Sequence, residues 1–277
     1  MTTQIARGLP ALLVSPHLDD AVLSCEAFVG ATTPCDALTV FTGTPAPGRY
    51  SWDSYCGFTD SDEAMAARLA EDDAAFAGTP HRRHRLGLLD SQYLEGSRAS
   101  VDAECLEAWA SRWAEAIEGP KAVVLPLGAG KQPSGAVGLL KRFVPAWGRN
   151  WLRRRRGQLP NQGGGSVANS DHVWVRDVLT TWGKARDDVT LVYYAEIPYP
   201  LGADSELLIG RLASETGRRA EPLDVAVEVA AKERRVRCYA SQVRHLLGLT
   251  TRDGALAIPA TERYWLFSPS GAPGHGA

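Results

Sequence analysis

Short runs of consecutive apolar residues recur along the chain. They alternate with longer stretches in which apolar positions return every three or four residues. Ala11–Ser15 (ALLVS), Ala37–Thr42 (ALTVFT), Lys121–Pro126 (KAVVLP) and Val189–Ala195 (VTLVYYA) are runs of the first kind, and such runs predict strands buried on both faces. Arg85–Leu89 predicts one more short strand, and Pro222–Val229, with apolar residues at every second position, predicts a half-exposed one. Asp60–Ala77 carries Met65, Leu69 and Phe76 on one helical face and is closed by Gly78-Thr79-Pro80. Val101–Glu118 places Leu106, Trp109, Trp113 and Ile117 at the same spacing, the pattern of an amphipathic helix. Asp20–Val29, Val173–Gly183 and Ala230–Leu247 also read as helices. Strands separated by helices of this length imply βαβ crossovers. The expectation is an α/β, Rossmann-like fold: a mostly parallel sheet with helices on both faces.

One segment breaks the alternation. Residues 128–170 are rich in glycine and hold Pro133, Pro145 and Pro160. A connection of this length in a compact domain is functional or loose, so a long Gly/Arg-rich insert is expected over about 128–170. It would sit in a single domain spanning 1–268, with a loose tail over 269–277. Charge sharpens the picture. The chain carries 30 basic and 32 acidic residues, a net charge of −2. Yet the 52 residues from Gly119 to Ser170 hold nine basic residues, Arg153–Arg156 among them, and no acidic one. A basic insert on an acidic body predicts contact with an anionic group; the plainer reading is a solvated, Arg-rich loop.

Composition excludes several classes. With 44% apolar and 22% charged residues, the chain is neither disordered nor fibrous. Five cysteines without a C-x-x-C pair argue against a disulfide framework or a thiolate zinc site and for a reducing, cytoplasmic setting. The apolar stretch near the start is six residues long and contains Pro10, too short for a secretory leader, and no run approaches the ~18 apolar residues of a membrane span. Gly128-Ala129-Gly130-Lys131-Gln132 lacks the spacing of a phosphate-binding loop, and no G-x-S-x-G marks a serine hydrolase.

The sharpest chemistry lies in Ser15-Pro16-His17-Leu18-Asp19-Asp20. It follows the first predicted strand, where open α/β sheets place their ligands. His17 and Asp20, three residues apart in a turn entering a helix, can converge on one point. Imidazole with carboxylate suits Zn²⁺ or a similar ion, and Asp19 would then face a metal-bound water. The competing reading makes Asp19 or Asp20 a helix N-cap and His17 incidental. A catalytic zinc needs a third protein ligand. Of the other histidines, His81, His84, His245 and His275 fall in polar, late-helix or tail positions. His172 opens a helix at the close of the insert, beside Asp171, and could supply the ligand or be a plain helix-start residue.

These residues resemble the PIG-L/LmbE-type N-acetyl-sugar deacetylases. Their first motif reads (A/S)-P-H-x-D-D, and their second is H-P-D-H or a relative. Arg68-x-x-Glu71 in the Ala-rich helix, Leu86–Asp90, Tyr193-Tyr194-Ala195-Glu196 and Lys232 through Tyr239-Ala240-Ser241-Gln242 are similar to further segments of that family. The resemblance implies that His17, Asp20 and His172 bind Zn²⁺, or another divalent ion such as Fe²⁺ or Co²⁺. It makes Asp19 the general base and Arg68 a substrate contact. The sequence departs at two places: Ala21 stands where the family often has Glu, and Asn169 stands where the second motif often starts with His. Asn169 could donate a hydrogen bond to an oxyanion but not deliver a proton.

The implied activity is metal-dependent hydrolysis of the acetamide of an N-acetylglucosaminyl-type sugar conjugate, with a metal-bound water as nucleophile and an anionic conjugate as one form of substrate. The alternative is a nucleic-acid-binding or inactive interaction module built on the basic run 141–156, with Trp147 and Trp151 as stacking aromatics; it leaves the His17–Asp20 motif without a role.

Overall fold

The structure is a computed structural model. It describes residues 5–6, 8–128, 169–199, 201, 204–246, 249–250 and 255–269. The predicted insert, with its arginines and Trp147 and Trp151, falls almost wholly outside the described residues, as does nearly all of the tail.

Seven strands form one sheet in the order β3-β2-β1-β4-β5-β7-β6. They are β1 (Ala11–Ser15), β2 (Asp36–Thr39), β3 (Arg82–Arg85), β4 (Lys121–Pro126), β5 (Val189–Tyr194), β6 (Ala220–Ala226) and β7 (Thr261–Phe267). The pairings of β3, β2, β1, β4 and β5 are parallel, and β7 runs antiparallel between β5 and β6. The order reverses between β1 and β4, so the crevice beyond their carboxyl ends is the topological switch point where such sheets bind ligands.

The strands are buried on both sides because helices cover both faces. Leu13, Val124, Val192 and Tyr194 point into one core with Phe28, Met65, Val236 and Tyr239. Their chain neighbours Leu12, Val14, Val123, Leu125, Leu191 and Tyr193 point into the other, with Leu106, Trp113, Val175, Leu179 and Trp182. Each fully buried Leu or Val contributes roughly 1.5–3 kcal/mol, which explains why the predicted β1 and β4 match the observed bounds residue for residue.

Among the described residues the helices are α1 (Asp20–Ser24), α2 (Glu26–Val29), α3 (Ser51–Cys56), α4 (Ser61–Ala75), α5 (Ser100–Glu115), α6 (Ser170–Lys184), α7 (Asp204–Thr216), α8 (Val229–Val236) and α9 (Ala240–Val243). The single helix expected over Asp20–Val29 is two short ones, broken at Cys25. There the backbone amides of Glu26 and Ala27 donate instead to the Glu262 carboxylate, at 2.7 and 3.0 Å. The helix expected over Ala230–Leu247 likewise divides into α8 and α9. The third strand lies upstream of the predicted Arg85–Leu89, on the polar sequence Arg82-Arg83-His84-Arg85, where Asp36 accepts from Arg82 and pairs with His84. The sequence reading left out α3, α7 and β7, although Leu208, Ile209 and Leu212 share one face of α7.

Candidate metal centre

The loop after β1 is folded by its own side chains. Ser15 Oγ donates to the His17 carbonyl at 2.5 Å and accepts from the Ala21 amide at 3.0 Å. Asp20 Oδ2 accepts from the His17 amide at 2.8 Å. Asp19 occupies the N-cap position of α1 but makes no side-chain cap bond. Neither aspartate therefore caps the helix; Ser15 holds its first turn, and both carboxylates face the crevice.

From the far side, α6 brings His172. Its N-cap is Asn169, whose Oδ1 accepts from the Asp171 amide at 3.0 Å. Val175, Leu179 and Trp182 anchor the helix in the core, which sets the angle of its first turn over β4. His17 Nδ1, His172 Nε2 and Asp20 Oδ2 then form a triangle. Its edges are 3.3 Å between the imidazoles, 3.1 Å from His17 to Asp20 and 3.2 Å from His172 to Asp20. Donors at about 2.0–2.1 Å from a tetrahedral zinc stand roughly 3.3–3.4 Å apart, so the residues present fit such an ion.

Each imidazole is held through its other nitrogen. His17 Nε2 lies 3.3 Å from Asp171 Oδ2, and His172 Nδ1 lies 3.2 Å from Glu196 Oε1. A carboxylate on the second nitrogen fixes the ring and raises its basicity as a ligand. Glu196 is placed in turn by the Gly128 amide at 2.6 Å. Gly128 has φ +64°, and a Cβ there would stand 2.9 Å from the Arg176 guanidinium, so glycine is required where β4 leaves the sheet.

His17, Asp90 and Asp171 make a second cluster around His17 Nε2. Its Asp171 carboxylate is already occupied: Oδ2 accepts from the Ser91 amide at 3.0 Å and Oδ1 from Arg98 at 2.8 Å. It reads as a support for His17 rather than a second ion seat.

The electrostatics follow. Burial alone would lower the His172 pKa, but Asp20 and Glu196 raise it to about 9. Burial opposes charge on His17 too, and Asp90, Asp171 and Asp20 carry its pKa well above the ordinary value. Burial would raise Asp20, yet His172 and His17 hold it well below the usual carboxylate range. The cage favours positive charge at this point, whether carried by imidazolium or by a cation. Asp19 behaves differently. Burial and the neighbouring Asp20 push its pKa up, only partly opposed by Arg68 and His17, which suits a group that must accept a proton.

Arg68 on α4 is 5% exposed and lies among the carboxylates of Asp19, Asp90 and Asp53. Its Nε is a buried donor without a partner. Sequence reasoning left out Glu196, Asp90, Arg98 and Tyr199. Glu196 and Asp90 each follow a strand-like run on the carboxyl side, the signal that could have found them. Arg98 and Tyr199 carry no local signal. Tyr199 stands edge-on to His172, ring centroids 5.9 Å apart.

No protein-family model and no curated protein sequence matches the chain. Solved structures do. A deacetylase of the teicoplanin biosynthesis pathway superposes with a TM-score of 0.55 at 19% identity, covering 95% of this chain and all of that one. The A40926 pseudoaglycone deacetylase Dbv21 gives 0.56 at 22% identity, over 96% and 99% of the two chains. The zinc-inhibited form of teicoplanin deacetylase Orf2 gives 0.54 at 19%, over 95% and 100%. The chain has the fold of these deacetylases. The expected α/β architecture, a mostly parallel sheet with helices on both faces, is the one observed. No helix among the described residues is long and apolar enough to cross a membrane.

Proposed function

We propose that this chain is a metal-dependent N-deacetylase of the PIG-L/LmbE type, hydrolysing the acetamide of an N-acetylglucosaminyl-type sugar conjugate. One observation carries the reading: two imidazoles and one carboxylate, from opposite ends of the fold, converge at 3.1–3.3 Å with Asp19 beside them. His17, Asp20 and His172 would hold one divalent ion, zinc by donor chemistry, with Fe²⁺ and Co²⁺ as alternatives. Such an ion lowers the pKa of water and polarises an acyl oxygen.

The chain's own residues supply the rest. The Asp19 carboxylate takes a proton from the attacking water as the new C–O bond forms at the acyl carbon. It returns that proton to the leaving nitrogen as the C–N bond breaks, giving acetate and a free amine. Asn169 caps α6 through its Oδ1, which leaves its side-chain NH2 to donate to the acyl oxygen. Arg68, a buried guanidinium with an unused Nε, binds a sugar hydroxyl. The fold neighbours act in the teicoplanin pathway and on the A40926 pseudoaglycone, so a sugar carried on a bulky aglycone belongs in the substrate set.

The test is acetate release from a panel of N-acetylglucosaminyl conjugates, small and bulky, by metal-replete and chelator-treated protein. Release that depends on about one metal per chain supports the reading. A metal-replete protein that cleaves no acetamide in the panel removes the activity, and a protein that takes up no divalent ion removes the centre.

A further inference from the structure

Arg98 lies between the short 3₁₀ turn Ser91–Tyr93 and α5, in a connecting segment where arginine is usually solvated. Here its side chain is only 8% exposed. The guanidinium sits over Phe41 at 4.2 Å and Trp174 at 4.8 Å from the ring centroids. It donates to the Leu89 carbonyl at 2.8 Å, to Asp102 at 3.3 Å and to Asp171 Oδ1 at 2.8 Å. Planar guanidinium groups serve several fixed acceptors at once, which an ammonium cannot.

We infer that Arg98 is a positioning residue for the centre formed by His17, Asp20 and His172, acting through Asp171. The inference rests on the metal-binding reading above. A metal-ligating imidazole almost always has its second nitrogen held by a partner, which fixes the ring and the nitrogen it presents. For His17 that partner is Asp171, 3.3 Å from Nε2, which leaves Nδ1 facing Asp20 and His172. The Ser91 amide ties Asp171 Oδ2, and Arg98 supplies the tie on Oδ1 that stops the carboxylate from turning about its own axis. Phe41 packs on both ends of this relay, 5.5 Å from the His17 ring and 4.2 Å from the guanidinium. The guanidinium also places a fixed positive charge against Asp171, which keeps the His17–Asp90–Asp171 cluster from drawing the ion away from the three ligands.

Competition titration of Co²⁺ against a chromophoric chelator, on the full chain, reads this without any substrate. Arg98→Met keeps an unbranched apolar side chain beside Phe41 and Trp174 and removes the donors. It is expected to weaken Co²⁺ binding about 10–100-fold, the usual effect of losing such a support. Asp171→Asn should do the same, and the double variant should bind no more weakly than Asp171→Asn alone. Arg98→Lys, which keeps the charge and is the safer variant for folding, should recover only part of the loss. Wild-type affinity in Arg98→Met, even with a lowered melting temperature, overturns the inference and leaves Arg98 a structural stitch. Additive losses in the double variant overturn it as well. If the unaltered protein binds no Co²⁺, the metal centre itself falls, a result distinct from either.

Discussion

His17 Nδ1 and His172 Nε2 stand 3.3 Å apart although 155 residues separate them in the chain. Two parallel strands achieve this. β1 ends below the loop that presents His17, β4 lies beside it, and α6 packs back over β4 with His172 in its first turn. Replacing His17, Asp20 or His172 with alanine should abolish stoichiometric zinc uptake while leaving the far-ultraviolet circular dichroism unchanged. Retention of one zinc per chain in all three variants would remove them as ligands.

Asp19 should separate from its neighbour Asp20. Asp19→Asn keeps the shape and loses the proton acceptor, so metal content should stay at one while turnover drops by roughly 10²–10⁴, the contribution of a positioned base. The reverse pattern, with Asp19 needed for metal and Asp20 dispensable, would exchange their roles. Steady-state kinetics with parallel metal analysis decides between them.

Glu196 holds His172 by its Nδ1 and is itself held by Gly128. Glu196→Gln keeps an acceptor but removes the charge. Zinc affinity should fall about 10–100-fold, while the unfolding midpoint of the metal-free protein moves little. A change in stability alone would assign Glu196 to the scaffold.

Lys232 and Glu262 form a fully buried ion pair at 2.7 Å, and Glu262 also accepts from Tyr264 and from the first amides of α2. Removing one partner strands the other charge, which costs about 3–5 kcal/mol. Lys232→Met should lower the urea midpoint accordingly, and adding Glu262→Gln should restore part of it. Equal midpoints for Lys232→Met and wild type would show the pair to be inert.

Asp36 sets an acid limit on stability. Burial would raise its carboxyl, but Arg82, His84 and Trp113 together hold it below the usual carboxylate range. A depressed folded-state pKa stabilises above the unfolded value of about 3.9 and is lost as pH falls through the folded one. Asp36→Asn should therefore cost about 1–3 kcal/mol at pH 7, at the low end because Arg82 is solvent-screened. The gap to wild type should close as pH falls below the ordinary carboxylate range. A gap that persists unchanged into acid would point to packing rather than charge.

Local pattern reached far into this molecule. Consecutive apolar residues announced β1, β4 and β5, because a strand buried on both faces has no polar side to interrupt it. The spacing of His17, Asp19 and Asp20 marked the crevice, because a loop that follows β1 must open where the sheet order reverses. What escaped was most of what other elements supply across the fold. Glu262, 236 residues away, breaks the first helix at Cys25 by taking its amides. Arg98 and Tyr199 reach the site only because the sheet brings their loops together. The cap that Asn169 places on α6 through its carbonyl oxygen was not foreseen either. Spacing along a chain encodes which side chains share a face of their own element. Which elements then meet, and which nitrogen of an imidazole is left to face a cation, depends on strand order and on the closing of distant loops, and those are decided only once the cores on both sides of the sheet have formed.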